Sequence, residues 1–186
     1  MGALRAKPGL GWVRALGLTA GALVAGCAHY QMGAEGHLAF RSVYIAPVAT
    51  RILLPQAQAL LSTQLRTNFE HDPRVVLVGS PEAADATLEV TIIAYKREIA
   101  AVREQDTGLA SKFSITLTAL CTLRDTHSSR VFFRDREVKV ARAVYTDNGQ
   151  PSYSLVGVQQ QAEYNTLPVM ANALADKVAH TVLDVW

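Results

Sequence analysis

Val24-Ala25-Gly26-Cys27 places one thiol directly after two small residues, the pattern that offers a cysteine for acylation at the end of an export signal. Arg5, Lys7 and Arg14 form the positive n-region, and Ala15 to Ala25 form a short apolar stretch. A spanning helix needs roughly 20 apolar residues, so this stretch reads as a cleaved signal rather than a membrane span. The sequence therefore predicts a lipoprotein signal over residues 1–26 and a lipid on Cys27, with no other cofactor. Acyl chains contribute about 0.8 kcal/mol per buried methylene, and two chains already anchor stably, so a fully acylated Cys27 would be a permanent membrane attachment. Ala28, where an inner-membrane lipoprotein would carry Asp, resembles the pattern sorted onward to the outer membrane.

Other residue types that could do chemistry are less ordered. Asp125, His127 and Ser128 contain the types of a hydrolytic triad, but three near neighbours at a tight turn do not make base-to-nucleophile geometry. Turn formation accounts for Asp125 and Ser128. His29, His37, His71, His127 and His180 lie scattered, with no spacing suited to a metal. Glu104 and Asp106, beside Gly108, read as loop residues. No nucleophile elbow or phosphate-cradling glycine loop is present, so the reading is of a binding protein, not an enzyme.

Removal of the signal takes away three basic residues and no acidic one, leaving 15 Lys and Arg against 16 Asp and Glu. A near-neutral chain lacks the basic footprint of a general nucleic-acid binder. About 160 residues suffice for one core. With Cys27 lipidated, Cys121 has no disulfide partner and is expected as a buried thiol.

The elements that must position any site follow from periodicity. Residues Ala28 to Arg41, rich in Gly and small side chains, suit a tether, part of which could dock. Ser42 to Val48 reads as a strand. Pro55 opens a helix in which Ala57, Leu60, Leu61, Leu65 and Phe69 recur at helical spacing, and Pro73 ends it. A short strand at Val75 to Val78 precedes a longer one from Ala86 to about Arg97. Phe113, Ile115, Leu117, Ala119, Cys121 and Leu123 alternate with Ser114, Thr116, Thr118 and Thr122, the pattern of a half-buried antiparallel strand with a hydroxyl face. From Arg130 to Ala141 the apolar parity switches between Phe133 and Val138, which a β-bulge near Asp135 would reconcile. Leu167, Met170, Ala171, Leu174, Val178, Val182 and Val185 stripe a closing helix, with Pro168 in its first turn or kinking a helix begun near Gln159. The expected fold class is α+β: a single domain over residues 42–186, a two-layer sandwich with two helices on one face of a mixed, largely antiparallel, four- to five-stranded sheet.

In this order the elements carry a resemblance. Cys27-Ala28-His29-Tyr30-Gln31-Met32-Gly33, Val43-Tyr44-Ile45-Ala46-Pro47-Val48, Ala84-Asp85-Ala86-Thr87-Leu88 and Ile92-Ile93-Ala94-Tyr95-Lys96-Arg97 are similar in sequence and spacing to the LptE family of lipopolysaccharide-assembly lipoproteins. The strand ending Leu123-Arg124-Asp125 and the later Val131-Phe132-Phe133 also fit. The resemblance implies a non-catalytic, lipid-anchored outer-membrane protein that sits in the lumen of a large β-barrel, LptD-like, helps it assemble and binds lipopolysaccharide on its way to the surface. Barrel interiors are polar, and the Ser and Thr face suits them; a plain solvated sheet face accounts for the same alternation.

Lipopolysaccharide carries phosphates on its sugars, which clustered Arg and Lys would contact. Two clusters are candidates: Lys96, Arg97, Arg103 and Lys112 around the loop between the long strands, and Arg130, Arg134, Arg136, Lys139 and Arg142 along the last strand. In an unbulged strand the four arginines of the second share a face; a bulge splits them. Ordinary surface charge, balanced by Glu98, Glu104, Asp106, Asp135 and Glu137, is the plainer account of any one of them. The alternative function is a carrier or adaptor lipoprotein holding a lipid or peptide between helices and sheet, which would need more apolar residues beyond Ile93, Leu120 and Phe132 on the second sheet face.

Overall fold

The computed structural model describes residues 38–102, 110–128, 130–145 and 155–184. The expected lipidation site Cys27 and the basic residue Arg103 lie outside the described residues.

In chain order the elements are β1 (Ser42–Ile45), β2 (Ala49–Thr50), α1 (Pro55–His71), β3 (Val76–Leu77), a single 3-10 turn (Pro81–Ala83), β4 (Ala86–Val102), β5 (Ala110–Asp125), β6 (Val131–Tyr145) and α2 (Leu155–Leu183). The sheet runs β3-β1-β4-β5-β6, with β2 also pairing β4. Pairings among β1, β2, β3 and β4 are parallel, whereas β4–β5 and β5–β6 are antiparallel. The α+β class and the two helices on a mixed sheet are as expected.

The strand count is six rather than four or five. The added strand arises because Ala46, Pro47 and Val48 interrupt the expected Ser42–Val48 run. Proline at position 47 has no N–H for a ladder, and the chain rejoins β4 only at Ala49, opposite Thr91. The other differences are of length: β4 and β6 continue to Val102 and Tyr145, and α2 begins at Leu155.

Each helix is placed by its own sequence. Pro55 occupies the first turn of α1, where its missing N–H costs nothing. Gln58 Nε2 donates to the Val48 carbonyl at 2.6 Å, tying that turn to the β1–β2 link. The helix stops at Asp72, which is extended as the residue before a proline must be. Ala57, Leu61, Leu65 and Phe69 form its buried face, and pack with Met170, Leu174, Val178 and Val182 of α2 against Leu88, Ile92, Ile115, Leu117 and Cys121 of the sheet. Pro168 lies inside α2, not at its start.

Asp135 has φ 49°, the one left-handed non-glycine among the described residues. Cys121 pairs with Arg136 and Leu123 with Phe133, so Arg134 and Asp135 together oppose Thr122. This is the bulge expected from the switch of parity. Thr122 Oγ1 accepts the Asp135 N–H at 3.1 Å, which settles the extra residue's donor.

The end of the expected tether belongs to the fold. Phe40 is buried in the core, its ring 5.6 Å from that of Phe132. Arg41 and Ser42 each donate a backbone N–H to Asp85 Oδ2 at 2.9 Å, and the Asp85 N–H returns to Ser42 Oγ at 2.9 Å. The Arg41 and Ser42 amides, with the Ser42 side chain behind them, hold the Asp85 carboxyl below the ordinary 3.8 of an aspartate.

Candidate functional site

The alternation of β5 divides the sheet into two faces. Odd residues Phe113 to Leu123 are buried under the helices; even residues point to the face that carries none. Cross-strand register extends the division. Lys96 pairs with Thr116 and Glu98 with Ser114 on β4, while Lys139, Ala141, Ala143 and Tyr145 of β6 pair with Thr118, Thr116, Ser114 and Lys112. The helix-free face thus brings together Lys96, Lys112 and Lys139 around Ser114, Thr116 and Thr118. The Lys112 ammonium lies 5.2 Å from the centre of the Tyr145 ring, and Lys139 makes a 3.5 Å, solvent-exposed ion pair with Glu137.

The expected hydroxyl face is less open than alternation suggests. Thr118 and Thr122 are each only 9% exposed. Across the ladders Thr118 pairs with Ala94 and Lys139 and Thr122 with Glu89, and Thr122 also accepts the bulge N–H.

The arginines go elsewhere. Arg97 lies on the helix side because the register shifts at Ile93, and its guanidinium pairs with Glu163 of α2 at 2.8 Å while lying 5.6 Å from the Phe113 ring. Tyr95 donates its hydroxyl to Glu163 at 3.3 Å, and burial first, then the carboxylate, pushes the phenol up to about 12. The row of Arg130, Arg134, Arg136 and Arg142 is split by the bulge. Arg130 lies over Phe132 at 5.0 Å and Arg136 over Phe133 at 4.4 Å. Arg134 sits in the bulge, exposed. Arg142 shares the helix side with Ile115 and lines a cleft with Gln64, Asn172 and Asp176.

Sequence patterning missed Lys177 and His180. They project from α2 beside Arg136 along an open groove that also includes Asp184. Lys177 Nζ donates to the Lys139 carbonyl at 3.0 Å. A helix residue meeting a strand carbonyl 38 positions away leaves no mark in either segment.

The triad residue types at the β5–β6 turn are occupied by turn bonds. Asp125 Oδ1 accepts the N–H groups of His127 and Ser128 at 2.9 and 2.7 Å, and Ser128 Oγ accepts that of Arg130 at 3.2 Å. Those amides hold the Asp125 carboxyl below its ordinary value, Ser128 first. Cys121 is buried and free, and burial pushes its thiol up to about 12. The helix–sheet interface, where a carrier would hold its ligand, is filled by fully buried side chains including Leu117, Ile92, Met170 and Leu174. Among the described residues no helix is long and apolar enough to cross a membrane.

The sequence model of the family described as LptE, lipopolysaccharide-assembly, matches residues 40–181. No curated protein matches in sequence. Among solved structures, a hypothetical protein from Chlamydia trachomatis is similar over 78% of this chain and 96% of its own, at 13% identity and a TM-score of 0.51. An uncharacterised lipoprotein B from Nitrosomonas europaea is similar over 78% of this chain and 86% of its own, at 16% identity and a TM-score of 0.51. At such identities the two structures speak for the fold alone.

Proposed function

The chain belongs to the LptE family of lipopolysaccharide-assembly proteins, and from that premise we propose that its helix-free sheet face receives the anionic head of lipopolysaccharide. The observation that carries the proposal is the register that sets Lys96, Lys112 and Lys139 around the Ser114, Thr116 and Thr118 hydroxyls on a face no helix covers. Ammonium groups supply charge to phosphate, and hydroxyls supply hydrogen bonds to sugar; neither demands a deep pocket. Arg97 serves as a strut to α2 in this reading, not as a lipid contact, because Glu163 already pairs with it.

The wider role follows the family. The protein is an envelope lipoprotein without catalytic function, anchored at the outer membrane through a lipid on Cys27, whose body plugs and helps assemble a large LptD-like barrel. A polar, charged sheet face suits a barrel lumen, which is itself polar.

The test is lipopolysaccharide binding by the purified chain and by a Lys96→Ala, Lys112→Ala, Lys139→Ala variant. Exposed charge contacts contribute about 0.3–1 kcal/mol each, so their joint loss should weaken binding roughly tenfold. A variant with Arg41, Arg66 and Arg74 changed to Ala removes the same charge from exposed positions before β1, on α1 and after α1 and should bind as the unmodified chain does. Equal weakening in both variants would reduce the effect to net charge and sink the site. Co-purification from detergent-solubilised outer membrane tests the barrel: an equimolar large barrel is expected, and recovery of the chain alone would count against the plug.

A further inference from the structure

β6 is the last strand of the sheet. It pairs with β5 on one side, and among the described residues no strand pairs with its other side. An edge of 15 residues is long, and long edges invite pairing unless they are blunted by charges, bulges or covering groups. The first half of β6 has all three devices. Asp135 bulges, Arg134, Arg136, Glu137 and Lys139 carry charges, and Lys177 covers the Lys139 carbonyl.

The second half has almost none. The Lys139 carbonyl meets Lys177 and therefore faces away from β5. In an antiparallel strand the N–H and C=O of one residue point the same way and successive residues alternate. Ala141, Ala143 and Tyr145 thus turn their backbone groups outward. All three are exposed, and the two alanines have no bulk to hinder an approaching chain. Between Val140 and Tyr145 the one charged residue is Arg142, and its side chain lies on the helix side.

We propose that the Val140–Tyr145 edge accepts an extended, acidic polypeptide segment as a seventh strand. Charge selects this occupant. A strand laid along the edge sends alternate side chains to the helix-free face, beside Lys139 and Lys112, and the others toward Arg142. Carboxylates suit both positions. A second copy of this chain suits neither, because antiparallel pairing of β6 with itself gathers Lys139 and Arg142 of each copy along one seam, and like charges across paired strands repel. A closed barrel has no free edge to offer, so the segment comes from a loop or tail outside any barrel wall. This edge adjoins the lysine and hydroxyl face, sharing Lys112 and Lys139 with it, and extends the family role with a peptide partner.

The test uses the purified chain and a labelled peptide of about ten residues, long enough for a full strand, with Glu alternating with Val and Thr. Binding is read by fluorescence anisotropy, and backbone protection by hydrogen exchange. Binding is expected, falling as salt rises, with slowed exchange at the Ala141 and Ala143 amides. Ala143→Pro removes one outward N–H at a position where an edge strand tolerates proline, and should lower affinity at least about tenfold while far-ultraviolet circular dichroism stays unchanged. If that variant fails to fold, the same peptide with Lys in place of Glu and the exchange pattern decide the matter. Absence of binding, equal binding of the Lys peptide, protection elsewhere than β6, or a folded Ala143→Pro variant that binds normally each overturns the proposal. So does a wild-type dimer by sedimentation that Ala143→Pro abolishes, which would make the occupant a second copy. Loss of peptide binding in a folded Ala143→Pro variant that still binds lipopolysaccharide separates this edge from the lysine and hydroxyl face.

Discussion

Replacing Asp85 by Ala should unclasp the start of the fold. The carboxylate accepts two backbone N–H groups, from Arg41 and Ser42, at 2.9 Å each. Hydrogen bonds to a charged group contribute about 1.5–3 kcal/mol apiece when water is excluded. Here the Asp85 side chain is 44% exposed, so water both screens the charge and can rehydrate the freed amides, leaving a net loss of about 1–2 kcal/mol. For a domain of this size that is a fall in Tm of about 2–8 °C. Asp85→Asn keeps one acceptor and loses the charge, so it should fall between. The pH dependence has a definite sign. Because the folded carboxyl titrates below its ordinary 3.8, its contribution is complete above that value and disappears as pH falls through the lower, folded value. Urea melts at pH 7 should separate the wild type from Asp85→Ala, and the gap should close progressively as the pH is taken below 3.8. Asp125 is also depressed, but it is common to both proteins and cancels in the difference. A gap at pH 7 of zero, or a gap that survives unchanged in acid, refutes the account of Asp85 as a charged acceptor.

Three other outcomes follow from the same kind of reasoning. At Asp135, with φ 49°, Asp135→Gly should be nearly neutral, whereas a β-branched Asp135→Val should lose about 1–2 kcal/mol in urea melts; equal stability of the two would remove the left-handed strain. Cys121, held up to about 12 by burial, should resist a disulfide reagent at pH 8 in the native protein and react fully in guanidinium, and fast native reaction would show that the thiol is accessible. Phe69→Ala, at a fully buried helix position, should lose about 3–5 kcal/mol by denaturant titration, and a loss under about 1 kcal/mol would mean that the α1 face is not core.

The parts of this fold that sequence revealed are those in which one face repeats along one segment. The β5 alternation from Phe113 to Leu123 reads without ambiguity, and so do Leu61, Leu65 and Phe69 of α1. Even the bulge shows, because Phe133 and Val138 cannot share a face in a regular strand. β2 does not show, since two residues, Ala49 and Thr50, have no period and exist as a strand only through Thr91 and Ile92. The far end of β4 is hidden for a different reason. The strand is legible only to about Arg97, and what gives Arg97 its partner is Glu163, 66 residues further on. The candidate site was half legible: the basic residues were visible, but their division between faces depends on the shift at Ile93 and the bulge at Asp135. Lysines fell to the open face and arginines to aromatic rings and α2, which residue type alone does not dictate.

The lengths of β4 and β5 have a mechanical consequence. Asp85, the β5–β6 turn and the residues preceding β1 all gather at one end, where Val43 pairs with Ala86 and Thr126 donates its N–H to the Asp85 carbonyl. From Ala86 to Val102 the ribbon runs 17 residues, about 50 Å at the usual rise per residue. Any force applied through the residues before Phe40 therefore loads the molecule at its base, with the hairpin as a boom reaching farther than a bilayer's hydrocarbon is thick, about 30 Å. The Asp85 clasp sits at the pivot of that boom, so its three hydrogen bonds decide whether a pull tilts the whole body as one lever or merely peels away Phe40 and β1.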